Sequence, residues 1–367
     1  MSVYEGRVKK AQELMVRQGI DCLFLTTSTN LAYLTGLSET QRGRLFLLLI
    51  PPGPAGPVFV VPALSAGEVR ARCPFADLRV WRDGEDPLPL VRDLLTGWGL
   101  RRPHLALDDT MFARFALGLQ GTIRGRWSLA SAVMSPLRQV KDPQEIRMLE
   151  RAAHLADEVM GRAVAACAPG VEETQVAELV ERYLLEGGAS RPVDCSVASG
   201  PNSALPHHRA GRRRMEKGDA VVIDFAAPVE GYWCDITRTV CLGPAGAELR
   251  EVYAAVLEAH RVGVQSSVPG VSGGEVDATC RELITGRGYG AYFLHRTGHG
   301  IGLDVHEDPQ IGPGSKDFLA PGMVFTVEPG AYLPGRFGVR IEDAVVVEQG
   351  QARELTSYPH DQLEGCL

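Results

Sequence analysis

No run of apolar residues in this sequence is long enough to cross a bilayer. The longest, Leu45–Ile50, holds six residues, against the roughly 20 that a membrane helix needs. An excess of basic charge is also missing: 38 Lys and Arg stand against 45 Asp and Glu, a net charge of −7. A nucleic-acid partner is therefore not expected, because phosphate binding needs a basic face. None of the eight cysteines forms a CxxC pair, and their scatter fits reduced thiols in a cytoplasmic protein. The first twenty residues are charged and amphipathic, without the apolar core of a signal peptide.

What is present is a soluble composition, 45% hydrophobic and 23% charged over 367 residues, a length that suits two domains. Up to about residue 119, short apolar runs alternate with helical patterns, which predicts a small α/β domain. Pro143 then opens a long helix to Cys167. A second helix runs from Glu172 to Leu185, and two more over about 246–266 and 273–287. Each pair is followed by a strand that leads to a histidine. The basic run Arg209–Lys217 lacks interleaved aromatics and reads as a solvated hairpin loop.

The most informative stretch is Thr297–Glu307, in which His299 sits among glycines and His306 follows seven residues later. Glycines at this density let a backbone pass close to another chain segment. Four further runs are apolar and β-branched, and each reads as a buried strand carrying a carboxylate: Asp224 in 221–227, Asp235 in 231–239, Glu328 in 323–330 and Glu342 in 338–343. An ionised carboxylate in a buried strand is costly unless it is paired or holds a metal. Four of them beside a histidine ask for cations. Asp224 and Asp235 are eleven residues apart, as two positions facing each other across a hairpin can be.

These motifs, in this order, resemble those of the pita-bread metallopeptidases, the family of methionine aminopeptidase, aminopeptidase P, prolidase and the metal-free creatinase. The resemblance covers the C-terminal 230 or so residues strongly, with a looser match at Tyr33–Gly36. It implies an α/β (α+β) chain: a creatinase-type N-terminal domain over 1–136, then a pita-bread catalytic domain over 137–367 with pseudo-twofold helix pairs around an antiparallel sheet. It also implies a metal-ligand set of Asp224, Asp235, His299, Glu328 and Glu342, with Asp235 and Glu342 bridging two divalent ions. Oxygen-rich ligands favour Mn²⁺, with Co²⁺ or Zn²⁺ as alternatives. Two such ions activate a water against a peptide carbonyl. Glu328 would then carry the proton to the leaving nitrogen, His306 would bond the carbonyl, and His207, in Ala204-Leu205-Pro206-His207, would lie on the leaving-group side. Arg340 is expected to point away from Glu342 and to hold a neighbouring group.

The implied activity is cleavage before proline in Xaa-Pro dipeptides, with aminopeptidase P action on longer Xaa-Pro peptides as the alternative. A proline-containing peptide would be the substrate and a homodimer the assembly. Methionine aminopeptidase normally lacks such an N-terminal domain. A non-catalytic binding protein or a creatinase-like enzyme would not need all five ligands. Two departures bear on the activity. Ala226 stands where the family usually has Gly. Gln310 stands four residues after His306, where prolidases often carry an Arg for the proline carboxylate. Arg42 or Arg44 is the substitute anchor considered.

Overall fold

The computed structural model describes residues 2–38, 43–53, 55–360 and 363, and divides into two compact units, Met1–Arg138 and Gln139–Leu367.

The first unit is a mixed α/β layer. Its elements are α1 (Val3–Gln18), β1 (Cys22–Leu25), α2 (Thr29–Thr35), β2 (Leu47–Ile50), β3 (Val58–Pro62), α3 (Ala66–Arg72), β4 (Asp77–Trp81), α4 (Leu88–Gly97), β5 (His104–Leu107), α5 (Ala113–Thr122), β6 (Arg126–Leu129) and α6 (Ser131–Gln139). The sheet order is β4-β3-β2-β1-β5-β6. Ser2 and Glu5 close a capping box on α1, and Gly19 ends it in the left-handed region. Two elements lie beyond the sequence reading. β6 has only four residues, and α6 carries Pro136 in its interior, which argues against a helix by sequence alone. Tyr33–Gly36 is the end of α2, closed by Gly36 at φ 70°.

The second unit is built from two helix pairs, each followed by antiparallel strands. The first set is α7 (Pro143–Ala166), α8 (Glu173–Glu186), β7 (Asp194–Ser199), β8 (Ala220–Val229) and β9 (Tyr232–Cys241). The second is α9 (Ala247–Ser266), α10 (Gly273–Gly286), β10 (Gly298–Gly300), β11 (Glu307–Ile311), β12 (Val324–Val327), β13 (Gly330–Leu333), β14 (Phe337–Arg340), β15 (Asp343–Val347) and β16 (Ala352–Glu354). The strands form sheets β7-β8-β9, β11-β10-β12-β15-β16 and β13-β14. Asp142, Pro143 and Glu145 set the start of α7 with a capping box.

Strand alternation explains how this unit separates core from chemistry. On β8, Val221, Ile223 and Phe225 pack with Ala156, Val159 and Met160 of α7 and Val180 of α8. Cys234 and Ile236 of β9 join the same cluster, so Cys234 is a core residue. The opposite faces of both strands carry Asp224, Asp235 and Thr237. Within Arg209–Lys217 the charges are partly paired: Arg213 meets Asp219 at 2.5 Å and Arg214 meets Glu172 at 2.7 Å.

Candidate metal centre

Asp235, His299 and Glu342 bring one ligand atom each to within 4.8 Å of one another, all three side chains being buried. Asp235 comes from β9, His299 from β10, and Glu342 from the extended link between β14 and β15, where it bridges to Thr237. Glu328, between β12 and β13, places Oε1 3.3 Å from His299 Nε2, while Asp235 Oδ2 lies 3.7 Å from that nitrogen. Asp224 turns its carboxylate to the Arg340 guanidinium. Of the five expected ligands, Asp235, His299 and Glu342 thus form one group, Glu328 lies beside His299, and Asp224 is held by Arg340.

The register corrects one expectation. Asp224 faces Thr237 and Asp235 faces Ala226. The two aspartates are therefore diagonal neighbours on one face and not a directly opposed pair. Ala226 is not among the residues with positive φ, so its methyl is accommodated without backbone strain. A Cβ at Gly298 or Gly300 would overlap the carbonyl oxygen of Thr326 or Asp308. These glycines permit the close strand approach that delivers His299.

Arg340 also differs from expectation. Positions i and i+2 on an extended segment share a face, so Arg340 and Glu342 point the same way. Thr237 Oγ1 donates to Glu342 Oε2 at 2.6 Å and accepts from Arg340 Nε at 3.2 Å. Arg340 Nη1 donates to the Tyr332 hydroxyl at 2.7 Å, and His295 Nε2 lies 2.8 Å from that same oxygen. Thr237, Tyr332 and His295 were not singled out from sequence. The one available signal was that Thr237 lies two residues beyond Asp235 on the same strand face.

Electrostatics test whether this site suits cations. Burial, reinforced by Asp224 and Glu328, pushes Asp235 well above the usual carboxylate range. Burial and the charges of Asp235 and Glu328 do the same to Glu342. Burial pushes Glu328 up to about 7 against the pull of Arg340. It also holds His299 down at about 3, as a neutral imidazole. Buried carboxylates repelling one another beside a neutral imidazole are a donor set that divalent ions would stabilise. The residues therefore fit the dinuclear centre that the motifs implied.

The His306 ring sits 4.2 Å from the His299 ring, centroid to centroid, at 73°. Burial, then Arg296, lowers its proton affinity. His207 is exposed, and its charge acts on both His295 and His306. Arg44 is engaged in two bonds to Asp83, 2.7 and 2.6 Å long, and Arg42 lies outside the described residues. Arg296 donates to Gln310 Oε1, and both line a cavity with Lys316 and Asp317.

Two family models match the chain: the Creatinase/Prolidase N-terminal domain over residues 7–140 and metallopeptidase family M24 over residues 147–349. The probable dipeptidase PepE of Mycobacterium tuberculosis is 36% identical over 363 residues, covering 98% of this chain and 96% of that protein. The Xaa-Pro dipeptidase of Pyrococcus horikoshii is 32% identical over 359 residues, covering 97% and 98%. A crystal structure of recombinant prolidase from Thermococcus sibiricus superposes with a TM-score of 0.92 at 37% identity, covering 99% of both chains.

Proposed function

The chain belongs to metallopeptidase family M24, and from that premise we propose that it hydrolyses the peptide bond before proline in Xaa-Pro dipeptides. The observation that carries this reading is the convergence of Asp235, His299 and Glu342, with Glu328 beside His299. The names of the relatives, dipeptidase and prolidase, support the substrate class.

The proposed ligands are Asp224, Asp235, His299, Glu328 and Glu342, holding two divalent ions. Mn²⁺ suits four carboxylates and one imidazole, with Co²⁺ and Zn²⁺ as alternatives. Bound, the ions supply a water of lowered pKa and polarisation of the scissile carbonyl. Glu328, oriented by Thr326 Oγ1 at 3.3 Å, accepts a proton and returns it to the proline nitrogen, which leaves only once protonated. His306, neutral at pH 7, donates its N–H to the carbonyl oxygen. His207 contacts the leaving-group side of the substrate. Arg340 and Thr237 keep Asp224 and Glu342 aimed at the ions.

Gln310, in place of an arginine, leaves the substrate carboxylate without its usual partner. Arg296, beside Gln310, is a candidate anchor, and Arg42 and Arg44 remain candidates from the sequence. The same substitution favours a second reading, aminopeptidase P action on longer Xaa-Pro peptides. The deciding experiment offers the Mn²⁺-loaded protein an Xaa-Pro dipeptide, an Xaa-Pro-Xaa tripeptide and a longer Xaa-Pro peptide. Proline release from the dipeptide alone supports the dipeptidase. N-terminal residue release from the longer peptides supports the second reading.

No helix among the described residues is long and apolar enough to cross a membrane. The cysteines among the described residues are free thiols, which fits the cytoplasmic location proposed. A homodimer is the assembly proposed, and light scattering of the full chain checks it.

A further inference from the structure

A second group of potential ligands lies on the other face of the strand that follows Glu342. His260 of α9, Asp343 of β15, Glu354 of β16 and His360 of the C-terminal segment each bring one ligand atom to within 4.8 Å of the others. His260 and Asp343 are completely buried, whereas Glu354 and His360 are partly exposed and leave a path from solvent.

The group is not satisfied as a hydrogen-bond network. Both ring nitrogens of His260, Asp343 Oδ2 and His360 Nδ1 are buried without a hydrogen-bond partner. Buried polar atoms normally find partners, so four orphans in one place require an explanation. His260 Nε2 does approach Asp343 Oδ2, at 3.0 Å, and after Arg238 it helps hold the Asp343 carboxyl down at about 2 against burial, but the contact falls short of hydrogen-bond geometry. Two donors side by side and not aimed at each other are what ligands on one ion look like. Ligands about 2.0–2.1 Å from a tetrahedral centre sit roughly 3.3 Å apart.

The surroundings hold this arrangement in place. Asp343 Oδ1 is taken by Arg238 Nη2 and Thr356 Oγ1, each at 2.6 Å, which leaves Oδ2 for the cluster. The Tyr253 hydroxyl donates to the His360 carbonyl at 2.7 Å and ties down the C-terminal segment. The His260 and His360 rings are 5.2 Å apart. Two imidazoles and two carboxylates, one of them already paired with Arg238 through its other oxygen, supply nitrogen and oxygen donors that suit a divalent ion. Four nitrogen and oxygen ligands with no position reserved for substrate describe a structural zinc site.

We propose that His260, Asp343, Glu354 and His360 bind one Zn²⁺, which ties α9 and the C-terminal segment to the back of the strand that leads from Glu342. This site is separate from the catalytic ions and does not depend on how many of those are bound.

The test uses the full chain, stripped of metal, equilibrated with zinc chloride, desalted and analysed by plasma mass spectrometry. His360→Ala and Glu354→Gln, both at the exposed end, are treated in parallel. The wild type should retain about one zinc per chain more than either variant. Equal zinc in all three overturns the proposal. An Asp235→Asn chain given one equivalent of zinc guards against variants that fail to fold. X-ray absorption should report two imidazoles on that zinc, and a zinc with one imidazole or none overturns the proposal.

Discussion

Thr237 and Glu342 are joined twice: the threonine hydroxyl donates to Glu342 Oε2 at 2.6 Å, and the Glu342 amide donates to the Thr237 carbonyl at 3.1 Å. This pair links β9, in the first half of the unit, to the segment that carries the last carboxylate of the site. Replacing Thr237 with Val keeps the shape but leaves Glu342 Oε2 without its donor and Arg340 Nε without its acceptor. Metal affinity should fall about 10–100-fold while the fold is retained. Competition with a chromophoric chelator, checked by near-ultraviolet circular dichroism, measures both.

Arg340 and Asp224 form an ion pair beside the site, the guanidinium buried and the carboxylate 28% exposed. Removing one partner of such a pair strands the other charge. Because the Asp224 carboxylate still reaches solvent, Arg340→Met should destabilise the metal-free protein by about 1.5–3 kcal/mol. Added Mn²⁺ should recover part of that loss, because a cation near Asp224 replaces the lost guanidinium. Urea unfolding with and without Mn²⁺ reports it.

Metal binding should release protons. In the metal-free chain, burial holds Asp235 and Glu342 well above the usual range and Glu328 at about 7, so near neutral pH these carboxyls are partly or largely protonated. His299, held at about 3, is already deprotonated and has none to give. Ligation requires the carboxylates. The number of protons released is therefore larger at pH 6 than at pH 8. Titration calorimetry in buffers of different ionisation enthalpy gives that number, and proton uptake on binding would contradict the assignment.

Arg296 is the cation beside Gln310. If it grips the substrate carboxylate, Arg296→Ala raises KM for an Xaa-Pro dipeptide about tenfold, with little change in KM for a longer peptide whose carboxylate lies elsewhere. Arg42→Ala and Arg44→Ala, assayed alongside, test the other two candidates. An effect in neither of those, together with the Arg296 effect, assigns the anchor.

Lys141 and Glu307 form a pair at 2.7 Å that is buried on both sides, with side-chain exposures of 2% and 9%. Glu307 adjoins His306, so this pair holds the start of β11. Lys141→Met should cost about 3–5 kcal/mol by removing the cation that faces the Glu307 carboxylate. The double variant Lys141→Met, Glu307→Leu should regain much of it, as thermal unfolding would show.

The proposed ligands were legible because each is an exception to its surroundings: a carboxylate in a β-branched run, or a histidine in a glycine-dense turn. The helix pairs were legible for a related reason, since their apolar spacing and caps are local. What was not legible depends on register and on contacts between distant segments. Asp224 and Asp235 lie diagonally and not opposite, because the turn at 230–231 pairs Asp224 with Thr237. Arg340 faces the ligands because it shares a strand face with Glu342. The His260 cluster joins residues up to a hundred positions apart along the chain, and no local pattern marks them. β6 and α6 were missed because one is very short and the other contains a proline.

The most direct test of the central claim is proline release from an Xaa-Pro dipeptide by chelator-stripped protein as Mn²⁺ is added in known equivalents. No release is expected without metal, and added Mn²⁺ should give a rise that levels off at about two equivalents per chain. Glu328→Gln, assayed with Mn²⁺ in excess, should lose most of that activity. Proline release from the stripped protein, unchanged by Mn²⁺, would contradict the claim.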